Sequence, residues 1–313
     1  MSKYVISSSP HLRDNVSTTS IMRDVCIALL PAAVAGVLFF GYRSAIILAL
    51  SVAAAVLSEW LYCKAAHCRN TIGDFSAVVT GMLLAMNLPS TVPYWMPVIG
   101  SVIAILLCKM IFGGIGQNFI NPALAARAIL ALSWASLMNT FATPAFGNLA
   151  GVDAVASATP IGAAAGTYTL GQLFLGNIPG TIGETCKLAL LIGAAYLFYK
   201  KVITWHIPVA FIGTFAVCYL LKTGFDVNAT LAQLLSGGLI LGAFFMATDY
   251  SSSPATAKGK IVFGIGCGLL LFIFRACKKT PAEWCSYAIL LMNVCSPLIE
   301  RVTGNKSFGE VKK

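Results

Sequence analysis

The sequence predicts an all-α polytopic membrane protein with about ten transmembrane helices. Of the 313 residues, 58% are apolar and only 10% are charged, and the mean hydropathy is +0.83. Soluble domains carry roughly 45–50% apolar and about 25% charged residues, so a water-soluble enzyme is disfavoured. Because hydrocarbon offers no partners for open backbone groups, the apolar segments must be helical. We therefore expect residues 1–313 to form a single membrane domain.

Ten apolar segments divide the chain into two halves. One of them, residues 76–88, would be about 20 Å long as a helix and is too short for a ~30 Å hydrocarbon core. We expect a cytoplasmic N-terminal segment (1–24), a first half (25–138), an external connection (139–183), a second half (184–299) and a cytoplasmic tail (300–313). The ten segments are 25–42, 45–63, 76–88, 94–112, 119–138, 184–199, 205–221, 231–247, 260–274 and 284–299.

The basic residues predict the orientation of the chain. Lys and Arg number 21 against 11 Asp and Glu, and most lie at the ends of apolar segments, which indicates membrane topology rather than nucleic-acid binding. With ten crossings, 13 of them lie on the side of both termini and 5 on the other, so both termini should be cytoplasmic. The connection 139–183 contains neither Lys nor Arg and is expected outside. The basic loop at 275–279 does not follow this rule.

A weak internal repeat predicts two inverted five-helix halves. The stretches 80–87 (TGMLLAMN) and 238–248 (GLILGAFFMAT) are each followed by a Ser/Pro turn and a Gly-containing apolar span. By the crossing count they run in opposite directions, and short or broken helices at matching places point to a central site. The alternative is that Gly- and Met-rich packing recurs in many helical membrane proteins.

The external connection carries a candidate modification site, Asp153-Ala-Val-Ala-Ser157-Ala158-Thr159-Pro160. Its small side chains would let another enzyme grip the backbone, and a Thr hydroxyl could accept a transferred group. The alternative is a connector of Ala, Ser and Thr without a role.

A glycine-rich turn, Gly113-Gly-Ile-Gly-Gln-Asn118-Phe-Ile-Asn121-Pro122, is a second candidate. Glycines permit close backbone approach, Asn118 and Asn121 supply amide donors and acceptors, and Pro122 suits a first helical turn. Such a turn could hold the edge of a cofactor or a phosphate at a helix start. The alternative is a helix–turn–helix in which Asn caps the second helix.

Charged residues near the apolar segments complete the set of candidates. Arg127 lies midway along a span, where a charge costs roughly 2.5–3.5 kcal/mol on insertion scales, so it needs a partner such as the phosphate of a bound cofactor, helix-end carbonyls or a neighbouring chain. Thr248 and Asp249 follow the eighth segment and could orient a cofactor or a cation, or could simply form a turn. Lys109 and Lys187 are expected near helix ends, with Lys187 reaching the interface. The three His and ten Cys show no metal-ligand spacing.

Four motifs together resemble the RnfD/NqrB family of membrane subunits. They are Ser8-Ser9-Pro10-His11, the turn at 113–123, the D-A-x-x-S-A-T-P arrangement at 153–160 and the F-M-A-T-D segment ending at Asp249. They occur in the family's order across most of the chain, and the short N-terminus favours an RnfD-like subunit. Ala156-Ser157 departs from the Ser/Thr-Gly pair of many members.

The resemblance implies a flavin-carrying subunit that is not catalytic alone. A flavin transferase would esterify the phosphate of FMN to Thr159, in a motif that includes Asp153, Ser157 and Ala158, with Asp153 as a recognition residue. The turn holding Asn118 and Asn121 would line a second, non-covalent flavin (riboflavin) or the ion path. With other Rnf subunits, the chain would couple electron transfer between ferredoxin and NAD to Na⁺ or H⁺ translocation across the bacterial cytoplasmic membrane. The alternative is an inverted-repeat solute channel or secondary transporter without a redox role.

Overall fold

The computed structural model describes residues 16–68, 70–144, 146–147, 160–161, 168–277 and 284–304, and within these ranges the elements are helices. Two helices continue directly into π-helical turns: α4 into Leu106–Met110, and α11 into Gly242–Met246. The helices are α1 Thr18–Phe40, α2 Tyr42–Ala65, α3 Ser76–Met86, α4 Trp95–Ile105, α5 Pro122–Ser133, α6 Ala135–Met138, α7 Leu170–Leu175, α8 Lys187–Tyr199, α9 His206–Lys222, α10 Val227–Leu234, α11 Leu239–Leu241, α12 Ala257–Cys277 and α13 Cys285–Thr303.

In the described part of the chain, three helices, α1, α2 and α12, are long and apolar enough to cross a membrane. A fourth candidate is the pair Val227–Leu234 and Leu239–Met246, which is bent by 65° at its break. Five shorter apolar helices accompany them: Ser76–Met86, Trp95–Met110, Pro122–Ser133, Lys187–Tyr199 and His206–Lys222. The prediction of an α-helical polytopic membrane protein is therefore confirmed, while ten crossings and an inverted repeat remain predictions.

The helix boundaries differ from the apolar segments where local capping decides them. Helix α1 begins at Thr18 because Ser17 and Ser20 form a capping box, so the predicted N-terminal segment 1–24 contains the first turns of this helix. Helix α5 begins only at Pro122, with the Asn121 side chain accepting from the backbone N–H groups of residues 123 and 124. Capping is a side-chain event that hydropathy does not register.

Close helix packing relies on small residues. Helix α9 packs along α12, and a Cβ atom added at Gly268 would lie 2.8 Å from the carbonyl oxygen of Phe211. Helix α2 packs against α3 and α4, and the Ser51 hydroxyl donates to the Gly81 carbonyl at 2.8 Å. Small residues at such crossings allow backbone approach, which is the usual source of stability between helices in lipid.

The end of α3 is tied to the segment that precedes α8. The Gly183 N–H donates to the Met86 carbonyl at 2.8 Å, and the Ile182 N–H donates to the Leu88 carbonyl at 3.1 Å. These contacts satisfy backbone groups that the short helix leaves open. They also bring Glu184 into the interior of the protein, where it is buried.

Candidate functional site: an inner cavity and a buried polar chain

A cavity between α1, α3, α5 and the π-helix Gly242–Met246 contains four of the predicted site residues. Its volume is about 90 Å³, and all the empty space around it, open solvent included, amounts to about 750 Å³. Sites for drug-sized ligands span roughly 300–1,000 Å³, so the cavity by itself is smaller than such a site and a ring system would extend into its open mouth. We call it the inner cavity; it is lined by Ile21, Met22, Val25, Ser76, Val79, Thr80, Leu83, Lys109, Ile115, Asn118, Asn121, Pro122, Ala123, Leu197, Val202, Ile203, Phe244, Phe245, Thr248, Asp249, Tyr250 and Ser251.

The glycine-rich turn forms one wall of the inner cavity. Gly113, Gly114 and Gly116 all have positive φ angles, between 84° and 112°, which residues with a Cβ atom rarely adopt. The turn therefore reverses the chain within a few residues after the π-helix and delivers Asn118 to the cavity.

The two asparagines of the turn have different tasks. The Asn121 side chain caps α5 through its oxygen, and its nitrogen donates to the Met246 carbonyl at 3.3 Å. The Asn118 nitrogen donates to the Ile120 carbonyl at 3.2 Å, while its amide oxygen accepts no hydrogen bond within the described part of the chain. Asn121 thus shapes the wall, and Asn118 is the asparagine with an acceptor to offer a ligand.

Thr248 and Asp249 lie on the facing wall. The Thr248 hydroxyl donates to the Phe244 carbonyl at 2.7 Å and keeps its acceptor capacity. The Asp249 carboxylate accepts from the hydroxyls of Ser251 and Ser252 at 3.0 and 3.1 Å. Burial raises the pKa of Asp249, and the hydrogen bonds from Ser251 and Ser252 oppose that rise. Asp249 therefore forms the turn considered from the sequence, while a role in orienting a flavin or a cation remains a prediction.

A buried ion pair stands at one end of the inner cavity. The Lys109 ammonium lies 2.6 Å from the Glu59 carboxylate, and both side chains are almost wholly buried. Lys109 also donates to the Ser76 hydroxyl at 2.5 Å, and Thr71 donates to Glu59. Lys109 lies near the end of its helical run, as expected, but the sequence did not predict the partner on α2 that holds it inside. Lys187, expected at the interface, is likewise fully buried, and it donates to the backbone carbonyl of Gly237 at 3.0 Å.

Arg127 lies outside the inner cavity and has partners within its own chain. Its guanidinium donates to the Asn87 amide oxygen at 3.1 Å and to the Ser286 hydroxyl at 2.6 Å, and it lies 3.5 Å from the Glu184 carboxylate. None of these is among the partners considered from the sequence. Arg127 and Ser286 line a separate cavity of about 360 Å³ between α5 and α13.

A chain of polar contacts joins Arg127 to the inner cavity. The amide oxygen of Asn87 accepts a hydrogen bond from Arg127. The amide nitrogen of Asn87 donates to the sulfur of Met246 at 3.7 Å. The Asn121 side chain donates to the Met246 carbonyl. The Asn293 side chain, oriented so that its nitrogen donates to the Ser252 carbonyl, accepts from the Asn121 N–H at 3.2 Å. The polar groups of both halves thus meet at one place in the core.

The predicted attachment motif lies at the edge of the described structure. Asp153, Ser157, Ala158 and Thr159 fall outside the described residues, but Pro160, which follows Thr159, is described. Pro160 borders a small cleft together with residues 178–180, 184, 185, 187 and 237. Glu184 borders this cleft, and its carboxylate lies 3.5 Å from the Arg127 guanidinium.

The inner cavity has the donor set that a flavin ring requires. A flavin has two apolar faces and a polar edge of carbonyl and N–H groups. The cavity offers apolar walls from Leu83, Ile203 and Phe244, and polar groups from Asn118 and Thr248. In their chemistry, the lining residues therefore fit such a group.

Sequence reasoning missed Glu59, Asn87 and Asn293 as members of the polar core. Each is a polar residue inside an apolar segment or at its end, and each is buried. A buried polar side chain in a membrane segment is a functional-site signal on its own, so this rule would have selected them. The partners Lys109, Arg127 and Asn121, in contrast, lie 40 or more residues away from them in sequence.

Comparison with known proteins identifies the family of the chain. Residues 5–309 match the model of the NQR2, RnfD, RnfE family. The chain is 49% identical over 315 residues to a component of the Na⁺-translocating ferredoxin:NAD⁺ oxidoreductase complex of Acetobacterium woodii, covering 98% of this chain and 96% of that protein. It is 42% identical over 322 residues to a component of the proton-translocating ferredoxin:NAD⁺ oxidoreductase complex of Clostridium ljungdahlii, at the same coverage. It is 33% identical over 341 residues to a component of the ion-translocating oxidoreductase complex of Halorhodospira halophila, covering 97% and 95%. The chain therefore belongs to the NQR2, RnfD, RnfE family.

Proposed function

We propose that this chain is the flavin-carrying membrane subunit of an ion-translocating ferredoxin:NAD⁺ oxidoreductase complex. The observation that carries the proposal is the D-A-x-x-S-A-T-P motif at 153–160 in a chain that matches the family over residues 5–309. The names of its relatives support membership of such a complex, with the other subunits as partners. The chain would pass electrons through the membrane, and it is not catalytic alone.

The first cofactor in this proposal is FMN, bound through its phosphate to the hydroxyl of Thr159. A flavin transferase would install it, reading Asp153 and the small residues Ser157 and Ala158. A covalent tether prevents the carrier from diffusing away, so electrons can pass between fixed centres. The redox chemistry belongs to the flavin, and the protein positions it and tunes its potential.

The second cofactor is a non-covalent riboflavin in the inner cavity. Asn118 offers an amide oxygen to an N–H group of the ring edge, and Thr248 offers a hydroxyl. The apolar side chains of Leu83 and Phe244 exclude water from the ring faces. Asn121 holds the turn in place by capping α5 and binding Met246, which fixes the distance between the two walls.

The proposed orientation places both termini in the cytoplasm and residues 139–183 outside the bacterial cytoplasmic membrane. The support is the distribution of Lys and Arg and the lack of basic residues in this connection. Thr159 would then lie on the outer face, while the mouth of the inner cavity, near the start of α1, would lie towards the cytoplasm. The polar chain through Asn87 and Met246 would lie between the two sites.

Two relatives bear on the coupling ion. The name of one states Na⁺ translocation and the name of the other states proton translocation, at 49% and 42% identity. The proposal accordingly extends to translocation of Na⁺ or H⁺ by the complex.

Mass spectrometry of the peptide that contains Thr159 tests the proposal. The chain is co-expressed with a flavin transferase, purified and digested. We expect an added mass of one FMN less water on this peptide. An unmodified Thr159 in protein purified from its native host would overturn the proposal and favour an inverted-repeat transporter without a redox role.

A further inference from the structure

The ion pair between Lys109 and Glu59 is not explained by stability alone. Both groups are buried, and a buried pair is often no more stabilising than apolar residues of similar volume. Ionisable residues inside membrane segments generally mark functional positions. Lys109 also belongs to the π-helix Leu106–Met110, an irregularity that frequently occurs at functional sites.

The arrangement of the pair is asymmetric with respect to the inner cavity. Lys109 and its second partner, Ser76, line the cavity, whereas Glu59 lies behind Lys109 and does not. Among the described lining residues, Lys109 is the one cation and Asp249 the one carboxylate. An ammonium has three donors, and the contacts to Glu59 and Ser76 use two of them, so a third can serve a ligand.

We propose that Lys109 is the charge-compensating residue for an electron-accepting ligand in the inner cavity. In this proposal, Glu59 offsets part of the positive electrostatic potential that Lys109 produces at the ligand. This inference rests on the proposed function, which puts riboflavin in the cavity. Reduction of a bound flavin by one electron, supplied from ferredoxin through the complex, would add one negative charge at this site. Lys109 would contribute its charge and one hydrogen bond, and no proton would be transferred.

The physical consequence is a shift in reduction potential with a defined order. In a low-dielectric interior, a nearby positive charge stabilises the reduced, anionic ring more than the neutral oxidised ring. Glu59→Gln removes the negative charge behind Lys109 and should raise the potential. The double variant Glu59→Gln/Lys109→Gln keeps the net charge of the wild type but removes the nearer charge, and it should lower the potential.

The experiment uses full-length chain carrying Thr159→Ala, so that non-covalent riboflavin is the flavin observed. Riboflavin binding is measured by fluorescence quenching, and the midpoint potential by spectroelectrochemical titration with dithionite. We expect the ratio of the dissociation constants of reduced and oxidised riboflavin to differ at least tenfold between the two variants, about 59 mV for one electron. Lys222→Gln, which removes an exposed cation, should leave the potential unchanged.

The outcomes separate this inference from the proposed function. If the parent chain does not bind riboflavin, the inner flavin site and the role of Lys109 both fall. If riboflavin binds and the two variants match the parent, or shift in the same direction, the role of Lys109 falls and the site remains. Glu59→Gln leaves Lys109 buried without its carboxylate partner and can therefore unfold the chain. The double variant leaves no unpaired charge, so its reduction potential provides a second, independent test of the role of Lys109.

Discussion

The side-chain amide of Asn87 donates a hydrogen bond to the sulfur of Met246 at 3.7 Å, across 159 residues of sequence. Asn87 follows the short helix α3, and Met246 ends the π-helix of the second half. Their stretches are the two members of the weak internal repeat. The contact therefore joins the two helix breaks, and Arg127 binds the same Asn87 side chain.

Replacing Asn87 should destabilise the core. Asn87→Ala removes the bonds to Arg127 and Met246. Arg127 keeps Ser286 and Glu184 but loses one buried hydrogen-bond partner, which costs about 1–3 kcal/mol. Thermal unfolding in detergent should show a clearly lower midpoint. Asn139→Ala, at an exposed asparagine that binds only a carbonyl of its own turn, is the matched control. Equal midpoints for the two variants would contradict the role given to Asn87.

Replacing Thr159 should abolish covalent flavin. Thr159→Ala lacks the hydroxyl that accepts the phosphate, so its band on a denaturing gel should lose flavin fluorescence completely. The chain is co-expressed with a flavin transferase in each case. Thr167→Ala, in the same connection, should stay fluorescent. A fluorescent Thr159→Ala band would place the attachment elsewhere.

The orientation can be tested by thiol labelling from outside. Ser157→Cys should react with a membrane-impermeant maleimide in intact cells, above the baseline set by the ten native cysteines. Lys313→Cys should react only after the membrane is opened, because the C-terminus is expected in the cytoplasm. The reverse labelling pattern would invert the topology.

Asn118 should contribute directly to riboflavin binding. Asn118→Leu removes the amide oxygen offered to the ligand, and loss of one buried hydrogen bond of about 1.4 kcal/mol weakens binding about tenfold. The dissociation constant is measured by fluorescence quenching. Asn139→Leu, at an exposed asparagine outside the cavity, should bind like the parent. Asn121 is unsuitable for this test because its replacement also removes the cap of α5.

The packing of α9 on α12 should be sensitive to one methyl group. In Gly268→Ala the new Cβ would lie 2.8 Å from the Phe211 carbonyl, so the helices must separate and the unfolding midpoint should fall. Gly213→Ala, where a Cβ has nothing within 4 Å, should be neutral or gain up to about 1 kcal/mol from helix propensity. If both variants had a lower unfolding midpoint, the loss would come from replacing a helical glycine and not from the contact between α9 and α12.

The sequence predicted most of the helices because hydropathy is a local property of the chain. Each of the ten apolar segments contains a helix, and the short segment 76–88 is indeed a short helix ending at Met86. The start of α1 and the late start of α5 were not predicted, because the Ser17 and Asn121 caps act through side chains. The polar turn at 113–122 was recognised from its glycines, which need no partner elsewhere in the chain.

The sequence by itself determined the class of protein, the candidate motifs and the four residues Asn118, Asn121, Thr248 and Asp249 that line one cavity. Only the tertiary structure decided that Lys109 faces Glu59 and that Arg127 faces Asn87, Ser286 and Glu184. The physical reason is that a buried charge must find a partner wherever the fold brings one, and these partners come from parts of the chain that are distant in sequence. Hydropathy can show that such a charge needs compensation, but the packing of the helices chooses the residue that provides it.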